Sequence, residues 1–329
     1  MTILALQYFI VAAEELNITS AAEKLYITQQ TLSAHIKRLE TEFSVPLFER
    51  KPKLQLTPAG KKILQYARRI VQLQRMMTSE IVDISQKKTS SLIVACSRIR
   101  AKFFLTQIWI EYHKICPNID IRIINDFSRN LGEAVRSRRA DVSILLYTVP
   151  EPNLTMHPVL KEKLFFIISP EWFHTLFPEN TREKFDSFFA NGITWQDLVN
   201  IPMLLLDYNN RIRELINQEF EKLDYFPRAR FESNDSETLL TMALSGCGPT
   251  ILGEATVFYM SDHLTKELNN VFAFPIVGSA IDSSVALPTD IVIPEFEQVF
   301  VEVCRQVFAR AKTKMSIREK KYIAQLRYR

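Results

Sequence analysis

The stretch from residue 20 to residue 40, SAAEKLYITQQTLSAHIKRLE, decides the fold of the N-terminal part of the chain. It opens with Ser20 followed by Glu23, a capping-box spacing that predicts the start of a short helix. Thr28 offers a cap for a second helix. That helix carries apolar residues at helical spacing, namely Leu32, Ile36 and Leu39. Two short helices joined by a tight turn, the second one amphipathic, predict a helix-turn-helix.

The outward face of the second helix is polar, and two interpretations are open. Composition alone favours an ordinary surface helix, because amides and charges are common on such surfaces. The capped helix before it and the basic segment after it favour a recognition helix in the major groove of DNA, where glutamine pairs with adenine and hydroxyls contact several bases. The residues predicted to contact DNA from this helix are Thr28, Gln29, Gln30, Thr31, Ser33, Ala34, Lys37 and Arg38.

The segment VPLFERKPKLQLTPAG, residues 45–60, alternates apolar and polar residues around a proline and two lysines. This pattern predicts a small two-stranded wing. Its cations suit phosphate contacts, which fix the position of a protein on DNA without reading sequence. The predicted contacts in the wing are Arg50, Lys51 and Lys53.

A long helix of about 28 residues is predicted to begin at Thr57–Pro58. Apolar residues repeat along it every seven positions at Ile63, Ile70, Met77 and Ile84, and a second set lies near the other seam position, at Tyr66, Leu73 and Ile81. This repeat is typical of a dimerising coiled coil. The alternative is a helix packed on its own domain, although little sequence nearby could cover so long a stripe.

Charge and composition restrict the class of protein. Residues 1–69 hold ten Lys and Arg against six acids, and residues 310–329 hold eight against one, so both ends are basic and the middle is acidic. Basic ends suit phosphate contacts. No stretch reaches the roughly 18 apolar residues of a membrane span, and the N-terminus lacks the basic start of a secretory signal. The scattered cysteines indicate reduced thiols in a cytoplasm.

From Leu92 onward, short apolar runs alternate with helical stretches. The runs are LIVA, DIRII, DVSILL, KLFFIIS, PMLLL, RARFES, TIL, VFAFPI and SSVAL, and a last long helix is predicted near 294–311. Strands separated by helices of ten to fifteen residues predict a parallel α/β sheet. The number of runs is sufficient for two lobes.

The N-terminal residues resemble the DNA-binding domain of the LysR-type transcriptional regulators. The resemblance runs through Phe9, Ala12, Ser20, Ala21, Ala22, Leu25, Gln29, Leu32, Ser33, Ile36, Leu39, Glu40, Pro46, Leu47, Phe48, Arg50, Leu56, Thr57, Ala59 and Gly60. Gln30 stands where the family often has proline, Ala34 where it often has arginine, and the wing is about one residue shorter than usual. The departures at Gln30 and Ala34 predict an altered base preference.

The resemblance implies an α/β fold class: an all-α winged helix-turn-helix with a long linker helix, then a two-lobed effector domain like a periplasmic binding protein. The expected domains are residues 1–58 for DNA binding, 59–90 for the linker, 91–311 for the effector domain and 312–329 for a basic tail. Within the effector domain, lobe 1 is expected at about 91–167 and 270–311, and lobe 2 at about 168–269.

A small-molecule effector is expected at loops that follow strands, near helix N-termini. By similarity to the family, the predicted effector-binding residues are Ser97, Arg98, Ile99, Arg100, Ser128, Asp207, Tyr208, Asn209, Cys247, Gly248, Pro249 and Thr250. Arg98, Arg100, Arg129 and Arg211 crowd these loops and favour an anion, a carboxylate being one candidate. The alternative is that these arginines point to solvent or pair with Asp126 and Glu133.

The sequence thus predicts a cytoplasmic transcription regulator that binds a dyad-symmetric operator in double-stranded DNA. The linker would form a homodimer, and the family implies a homotetramer, with RNA polymerase as a further partner. A competing hypothesis is a small-molecule binding module that has lost DNA binding. An enzyme is disfavoured, because the chain has no GxxxxGK[ST] or GxGxxG and only seven glycines. We expect no cofactor, no metal and no catalytic residue.

Three further features are noted from sequence. Cys96 and Cys247 flank the expected cleft, so a redox sensor is a minor alternative. Residues 170–195 are rich in phenylalanine and predict a helical cap over the cleft, an interface or simple packing. The tail after residue 311 extends beyond the usual end of such chains and is interpreted as solvated and partly disordered.

Overall fold

The computed structural model describes residues 1–49, 53–85, 90–147, 152–259, 270–289 and 291–326. The chain forms two compact units. The first comprises Met1–Leu92, Asn118–Asp120 and Arg136–Ala140, and the second comprises Ile93–Pro117, Ile121–Val135 and Asp141–Arg329. The predicted DNA contacts Arg50 and Lys51 lie outside the described residues.

The first unit is built from helices and one short hairpin. Its elements are α1 (Ile3–Glu15), α2 (Ile18–Lys24), α3 (Gln29–Phe43), β1 (Phe48–Glu49), β2 (Gln55–Leu56) and α4 (Pro58–Ser85). The helix-turn-helix and the antiparallel wing are confirmed, with Phe48 opposite Leu56 in the wing. The predicted apolar face of α3 is buried, since Leu32 and Leu39 have no exposed surface.

The N-terminal caps follow the sequence in part. Thr28 accepts a hydrogen bond from the Thr31 amide and caps α3, as predicted. The predicted cap at Ser20 is wrong: the cap of α2 lies three residues earlier, at Asn17, whose Oδ1 accepts from the Thr19 and Ser20 amides at 2.9 and 3.2 Å. Asparagine in the extended conformation satisfies these free amides at least as well as serine, so the earlier start prevails.

The long helix α4 has the predicted length of 28 residues. Ala67 and Val71 are buried against the rest of the first unit, and Ile63 and Ile70 pack at its edge. Three apolar side chains on α4 are instead about half exposed, namely Tyr66, Leu73 and Met77. The side chains at positions 81 and 84 of the predicted repeat are not described. Dimerisation through α4 therefore stays a prediction.

The second unit contains two five-stranded sheets. Its elements, in chain order, are β3 (Ser90–Cys96), α5 (Arg98–Arg100), a π-helical segment (Ala101–Leu105), α6 (Thr106–Ile115), β4 (Ile119–Asn125), α7 (Leu131–Arg136), β5 (Val142–Tyr147), β6 (Leu154–Glu162), β7 (Leu164–Ile168), α8 (Pro170–Leu176), α9 (Thr181–Asn191), a 3₁₀ turn (Gln196–Leu198), β8 (Met203–Leu206), α10 (Arg211–Glu221), β9 (Ala229–Ser233), α11 (Ser236–Leu244), β10 (Thr250–Gly253), α12 (Glu254–Phe258), β11 (Phe272–Pro275), β12 (Ile281–Pro288) and α13 (Glu295–Leu326).

The sheets define two lobes. The first lobe holds the order β4-β3-β5-β12-β6 and the second holds β11-β7-β10-β8-β9. Each sheet has a parallel part, such as β3 with β5 and β8 with β9, and antiparallel strands beside it, such as β12 beside β5 and β7 beside β10. The predicted parallel arrangement thus holds for part of each sheet only, because β7 and β12, the strands that follow the two crossings between lobes, run antiparallel to their neighbours.

Two predictions about the strands need correction. The strands β7 and β11 belong to the second lobe, whereas the sequence placed residues up to 167 and from 270 in the first. They are hydrogen-bonded to each other, so both strands must be assigned to the same lobe. The strand β6 was missed, because Pro158 interrupts its pattern. Proline is tolerated there because β6 is an edge strand.

The phenylalanine-rich segment forms α8 and α9, which pack locally on the second lobe. Phe173 and Phe188 are buried, and their rings lie 5.6 and 5.8 Å from the ring of Phe274 on β11. Phe185 contacts Phe272 on the same strand, with ring centroids 4.8 Å apart. Simple packing, one of the three alternatives for this segment, accounts for these contacts.

The C-terminal segment is not a disordered tail. Helix α13 continues without a break to Leu326, and Met315 and Tyr322 are buried. The Tyr322 hydroxyl accepts a hydrogen bond from the Ala273 amide at 2.7 Å and donates one to the Val271 carbonyl at 2.8 Å. The prediction of a solvated tail failed because its basic composition concealed these two widely spaced apolar residues.

Helix α13 also connects the lobes. In the first lobe, Phe308 packs on Phe104 with ring centroids 4.4 Å apart. In the second lobe, Lys312 Nζ donates to both oxygens of the buried Glu254, at 2.8 and 2.6 Å. One helix thus contacts residues of both lobes.

Candidate functional site

The recognition helix α3 presents polar side chains to solvent. Thr28, Gln29, Gln30, Thr31, Ala34, Lys37 and Arg38 are exposed, and Ser33 is partly exposed. Three of these side chains are held by the protein itself. Gln29 Nε2 donates to Thr19 Oγ1 on α2, and the hydroxyls of Thr28 and Thr31 lie 2.9 Å apart.

Three other side chains on α3 have no polar partner within the described part of the protein. Within the described part of the chain, Gln30, Lys37 and Arg38 make no hydrogen bond or ion pair through their side chains. Lys53 in the wing is exposed as well. An exposed helix with free amide and cationic groups suits base contacts by Gln30 and phosphate contacts by the cations.

A cavity of about 320 Å³ lies in the second unit, where strands of both lobes end. Its position at the carboxyl ends of β3, β4, β8, β9 and β10 is the expected ligand position in open α/β sheets. Seven of the twelve predicted effector-binding residues line it: Ser97, Arg98, Ile99, Arg100, Ser128, Asp207 and Asn209. The volume falls at the lower end of the ~300–1,000 Å³ of typical small-molecule sites.

Five predicted effector-binding residues do not line this cavity. Tyr208 is not among the lining residues, and the Arg213 guanidinium lies 4.3 Å from the centre of its ring. The turn Cys247–Gly248–Pro249 and Thr250 lie at the amino end of β10. Because β10 runs parallel to β8, its carboxyl end reaches the cavity and its amino end does not. The cavity is therefore lined by Gly253, Ala255 and Thr256 instead.

Several residues that line the cavity were not predicted from the sequence. Among them are Phe103, Asn125, Phe127, Leu146, Glu162, Leu206, Asn234, Asp235 and Ser236. The loop Asn234–Ser236 could have been found, because it connects a predicted strand to a predicted helix on the same edge as Asp207. Phe103 lies in the π-helical segment, a distortion common at functional sites.

A buried ion pair forms one wall of the cavity. Arg100 Nη2 donates to Glu162 Oε2, and the two side chains are 6% and 0% exposed. Glu162 Oε1 accepts a hydrogen bond from the Ala255 amide at 2.8 Å, and Ser283 Oγ donates to Oε2 at 3.4 Å. Arg100 Nη1 is buried without an acceptor. The pair therefore joins α5, β6 and α12 around the cavity and leaves one guanidinium nitrogen unsatisfied.

The lobes touch directly around the cavity. Ser128 Oγ accepts from the Arg211 amide at 2.9 Å, and Arg129 Nη1 donates to the Tyr208 carbonyl at 3.0 Å. Lys102 Nζ contacts Glu237 at 2.5 Å. Two of the arginines thus bind other protein groups. Arg129 bridges the lobes, and Arg211 pairs with Glu214 at 3.0 Å. Arg98 is exposed and has no such contact in the described chain.

The thiols do not form a redox pair at the cavity. Cys96 is buried, and burial raises the pKa of its thiol to about 12. Cys247 is exposed but lies at the far end of β10. Among the described residues, no three His, Cys, Asp or Glu side chains are grouped so as to hold a metal ion. Across the same residues, every helix is too short or too polar to cross a membrane.

Comparisons with known proteins fit this two-part arrangement. The family of bacterial regulatory helix-turn-helix proteins of the lysR type matches residues 3–61, and the LysR substrate binding domain matches residues 85–307. The chain belongs to the LysR family. It is accordingly a LysR-type DNA-binding transcriptional regulator with a substrate-binding domain.

Individual relatives of this LysR-type chain are distant. The HTH-type transcriptional regulator BsdA of Bacillus subtilis is 28% identical over 299 residues, which cover 88% of this chain and 97% of BsdA. A full-length OxyR variant from Pseudomonas aeruginosa has a TM-score of 0.65 at 22% identity, covering 93% of this chain and 95% of that one. CbnR complexed with its target DNA has a TM-score of 0.57 at 21% identity, covering 93% and 100%. At these identities the solved structures establish the fold.

Proposed function

We propose that this LysR-type regulator binds a dyad-symmetric operator in double-stranded DNA with α3 in the major groove. The observation that carries the proposal is the contrast between two neighbouring amides. Gln29 is tied back to Thr19, which fixes the start of α3, while Gln30 stands free and exposed. A free amide on a rigidly placed helix is suited to pair with adenine.

The remaining contacts divide by chemistry. Ser33 and Ala34 lie beside Gln30 and are proposed to face bases, with Ala34 reaching a thymine methyl group. Lys37, Arg38 and Lys53 are exposed cations and are proposed to contact phosphates. Arg50 and Lys51 are proposed for the same role from the sequence. The DNA complex of CbnR supports this docking by analogy of fold.

Dimerisation is proposed to occur through α4. The half-exposed Tyr66, Leu73 and Met77 form an apolar row that two copies would cover by pairing. Pairing of two helices would set the spacing of two recognition helices on a symmetric site. We further propose a homotetramer, by analogy with the family, and RNA polymerase as a partner during activation.

A small anionic effector, such as a carboxylate, is proposed to bind in the cavity between the lobes. The free guanidinium of Arg98 and the unsatisfied Nη1 of Arg100 support an anionic group in the ligand. Binding would shift a balance between arrangements of the lobes that exists without ligand. The role is regulatory rather than enzymatic, and, because its DNA target is the bacterial chromosome, we place the protein in the cytoplasm.

A gel shift with the DNA next to the gene tests the DNA-binding proposal. We expect a retarded complex with a protected dyad in a footprint. The variant Gln30→Ala should change the preferred base at one position of each half-site. Its binding free energy for the operator preferred by the unchanged protein should be weaker by about 1–3 kcal/mol. The exposed Gln218→Ala on α10 is the matched control and should leave the footprint unchanged.

A different outcome would favour the competing hypothesis. If anions bind the cavity but no retarded complex forms at low salt, the chain is a binding module without DNA function. If a complex forms and Gln30→Ala has the same base preference as the unchanged protein, α3 does not read bases through Gln30.

A further inference from the structure

We infer that the cavity accepts a zwitterion, namely an amino acid with an apolar side chain. This inference rests on the proposal that the cavity binds an effector, and it specifies the chemical class. It depends on three sets of groups in the cavity: cationic donors on the first lobe, a free carboxylate oxygen on the second lobe, and apolar side chains beside them.

The anionic pole of the ligand fits the end of β3. The guanidinium of Arg98 has no partner in the described chain and lines the cavity. Arg100 Nη1 is buried without an acceptor beside it, while Nη2 is occupied by Glu162. A carboxylate placed here would accept from both guanidinium groups, and charge-assisted hydrogen bonds of this kind are the strong ones.

The cationic pole fits the end of β8 on the other lobe. Asp207 Oδ1 accepts from the Asn209 amide at 3.0 Å, and in the described chain Oδ2 accepts no hydrogen bond. The other acid of this lobe that lines the cavity is engaged: Asp235 accepts from the Glu237 and Thr238 amides as the cap of α11. Asp207 is therefore the acceptor available to an ammonium group.

The balance of charge in the cavity favours a zwitterion over a dianion. Four carboxylates line it, from Asp126, Glu162, Asp207 and Asp235, against the two guanidinium groups of Arg98 and Arg100. A dianion would bring two more negative charges into a cavity that already has an excess of acids, which is costly at low dielectric. A ligand that carries one positive and one negative group adds no net charge.

The side chain of the ligand would meet apolar groups. Ile99, Phe103, Leu146, Leu206 and Ile212 line the same cavity, and Phe127 lies at its rim with 45% of its surface exposed. A polar side chain of the ligand would lose its hydration against these apolar residues. An aliphatic or aromatic amino acid therefore satisfies both poles and the wall between them.

Titration calorimetry on the full-length protein tests the class of ligand. The probes are L-leucine and L-phenylalanine, their analogues without the amino group (4-methylpentanoate and 3-phenylpropanoate), their analogues without the carboxylate (3-methylbutylamine and 2-phenylethylamine), and succinate. At least one of the two amino acids should bind tenfold or more tightly than either of its own analogues and than succinate.

Two variants assign the poles. Arg98→Ala should remove the advantage of the amino acid over its amine analogue, and Asp207→Asn should remove its advantage over the acid analogue. The matched controls are Arg182→Ala and Asp224→Asn, both exposed residues outside the cavity, and they should change no affinity. Circular dichroism and the thermal unfolding of each variant confirm that it folds.

Two results would overturn the inference. Tighter binding of succinate, of the acid analogues or of the amine analogues than of both amino acids would reject the zwitterion while leaving an effector cavity in place. No binding by any probe would also reject it. The DNA-binding proposal is judged separately, because the gel shift and footprint do not depend on these ligands.

Discussion

Arg100 and Glu162 form a buried ion pair at the cavity although 62 residues separate them in the chain. Each of these charges is stable inside the protein only when it is paired, because removing an ion from water costs several kcal/mol even after the protein relaxes around it. The pair also receives hydrogen bonds from Ala255 and Ser283, so it connects elements of both lobes.

Breaking this pair should destabilise the protein strongly. Glu162→Ala or Arg100→Ala should each lower the free energy of unfolding by about 3–5 kcal/mol, because each leaves an uncompensated buried charge. Urea denaturation measures the change. The double variant should be less damaging than the sum of the two. The exposed pair Arg182–Asp186 is the control, and its loss should cost about 0–1 kcal/mol.

The caps of α2 offer a sharper test of local structure. Asn17→Ala should cost about 1 kcal/mol, because it leaves the Thr19 and Ser20 amides without an acceptor. Ser20→Ala should change the free energy of unfolding by less than about 0.5 kcal/mol, since its hydroxyl caps nothing. Thermal unfolding followed by circular dichroism ranks the two. Equal losses would show that Ser20 is a cap in solution.

The cysteines should differ in reactivity with a thiol reagent. Cys247 is exposed and should react rapidly at pH 8, whereas Cys96 and Cys304 are buried with raised thiol pKa values and should react only after unfolding. Ellman's reagent counts them in native protein and in denaturant. The variant Cys247→Ser should lose the fastest phase. If that phase persists, it comes from the partly exposed Cys116 or from a buried thiol that becomes accessible through local opening.

The phosphate contacts should appear in the salt dependence of DNA binding. Affinity for DNA falls as the salt concentration rises, and Lys37→Ala should make the plot of log affinity against log salt less steep by about 0.9, because one fewer counterion is released. Fluorescence anisotropy at several KCl concentrations gives the slope. Lys222→Ala, a change at an exposed lysine on another domain, should leave the slope unaltered. An unchanged slope for Lys37→Ala would remove this residue from the interface.

The phenol of Tyr322 should stabilise the second lobe. Tyr322→Phe leaves the Ala273 amide and the Val271 carbonyl buried without partners, at a cost of about 1–3 kcal/mol. Tyr26→Phe is the matched control, because that side chain is 96% exposed. Differential scanning calorimetry compares the two. Equal melting temperatures would mean that water replaces the hydroxyl.

The features that could be predicted from sequence are those encoded by neighbouring residues. The helix-turn-helix follows from the spacing of Leu32, Ile36 and Leu39, and the loops at Ser97 and Asp207 follow directly from the strands that precede them. The prediction that the turn at Cys247 lines the cavity is wrong, because it did not take the direction of the strand into account. That turn precedes its strand, so the direction of β10 takes it to the opposite end.

Other features depend on partners far apart in the chain. No local pattern marks Glu162 as buried, because its environment exists only once Arg100 and Ala255 have come together. The same holds for Tyr322, which sits among basic residues and is buried only by contact with β11. Sequence reasoning assigns such residues to the surface because it reads composition within a short window.

The position of Tyr322 has a consequence for the edge of the second sheet. The strand β11 is the outer strand of this sheet, and the Tyr322 hydroxyl bonds the Ala273 amide within the strand and the Val271 carbonyl just before it. An open strand edge is a template for pairing with another chain. Helix α13 occupies two backbone groups of this edge through Tyr322. Release of α13 from the second lobe would therefore expose a strand edge to pairing with a second copy and so to aggregation.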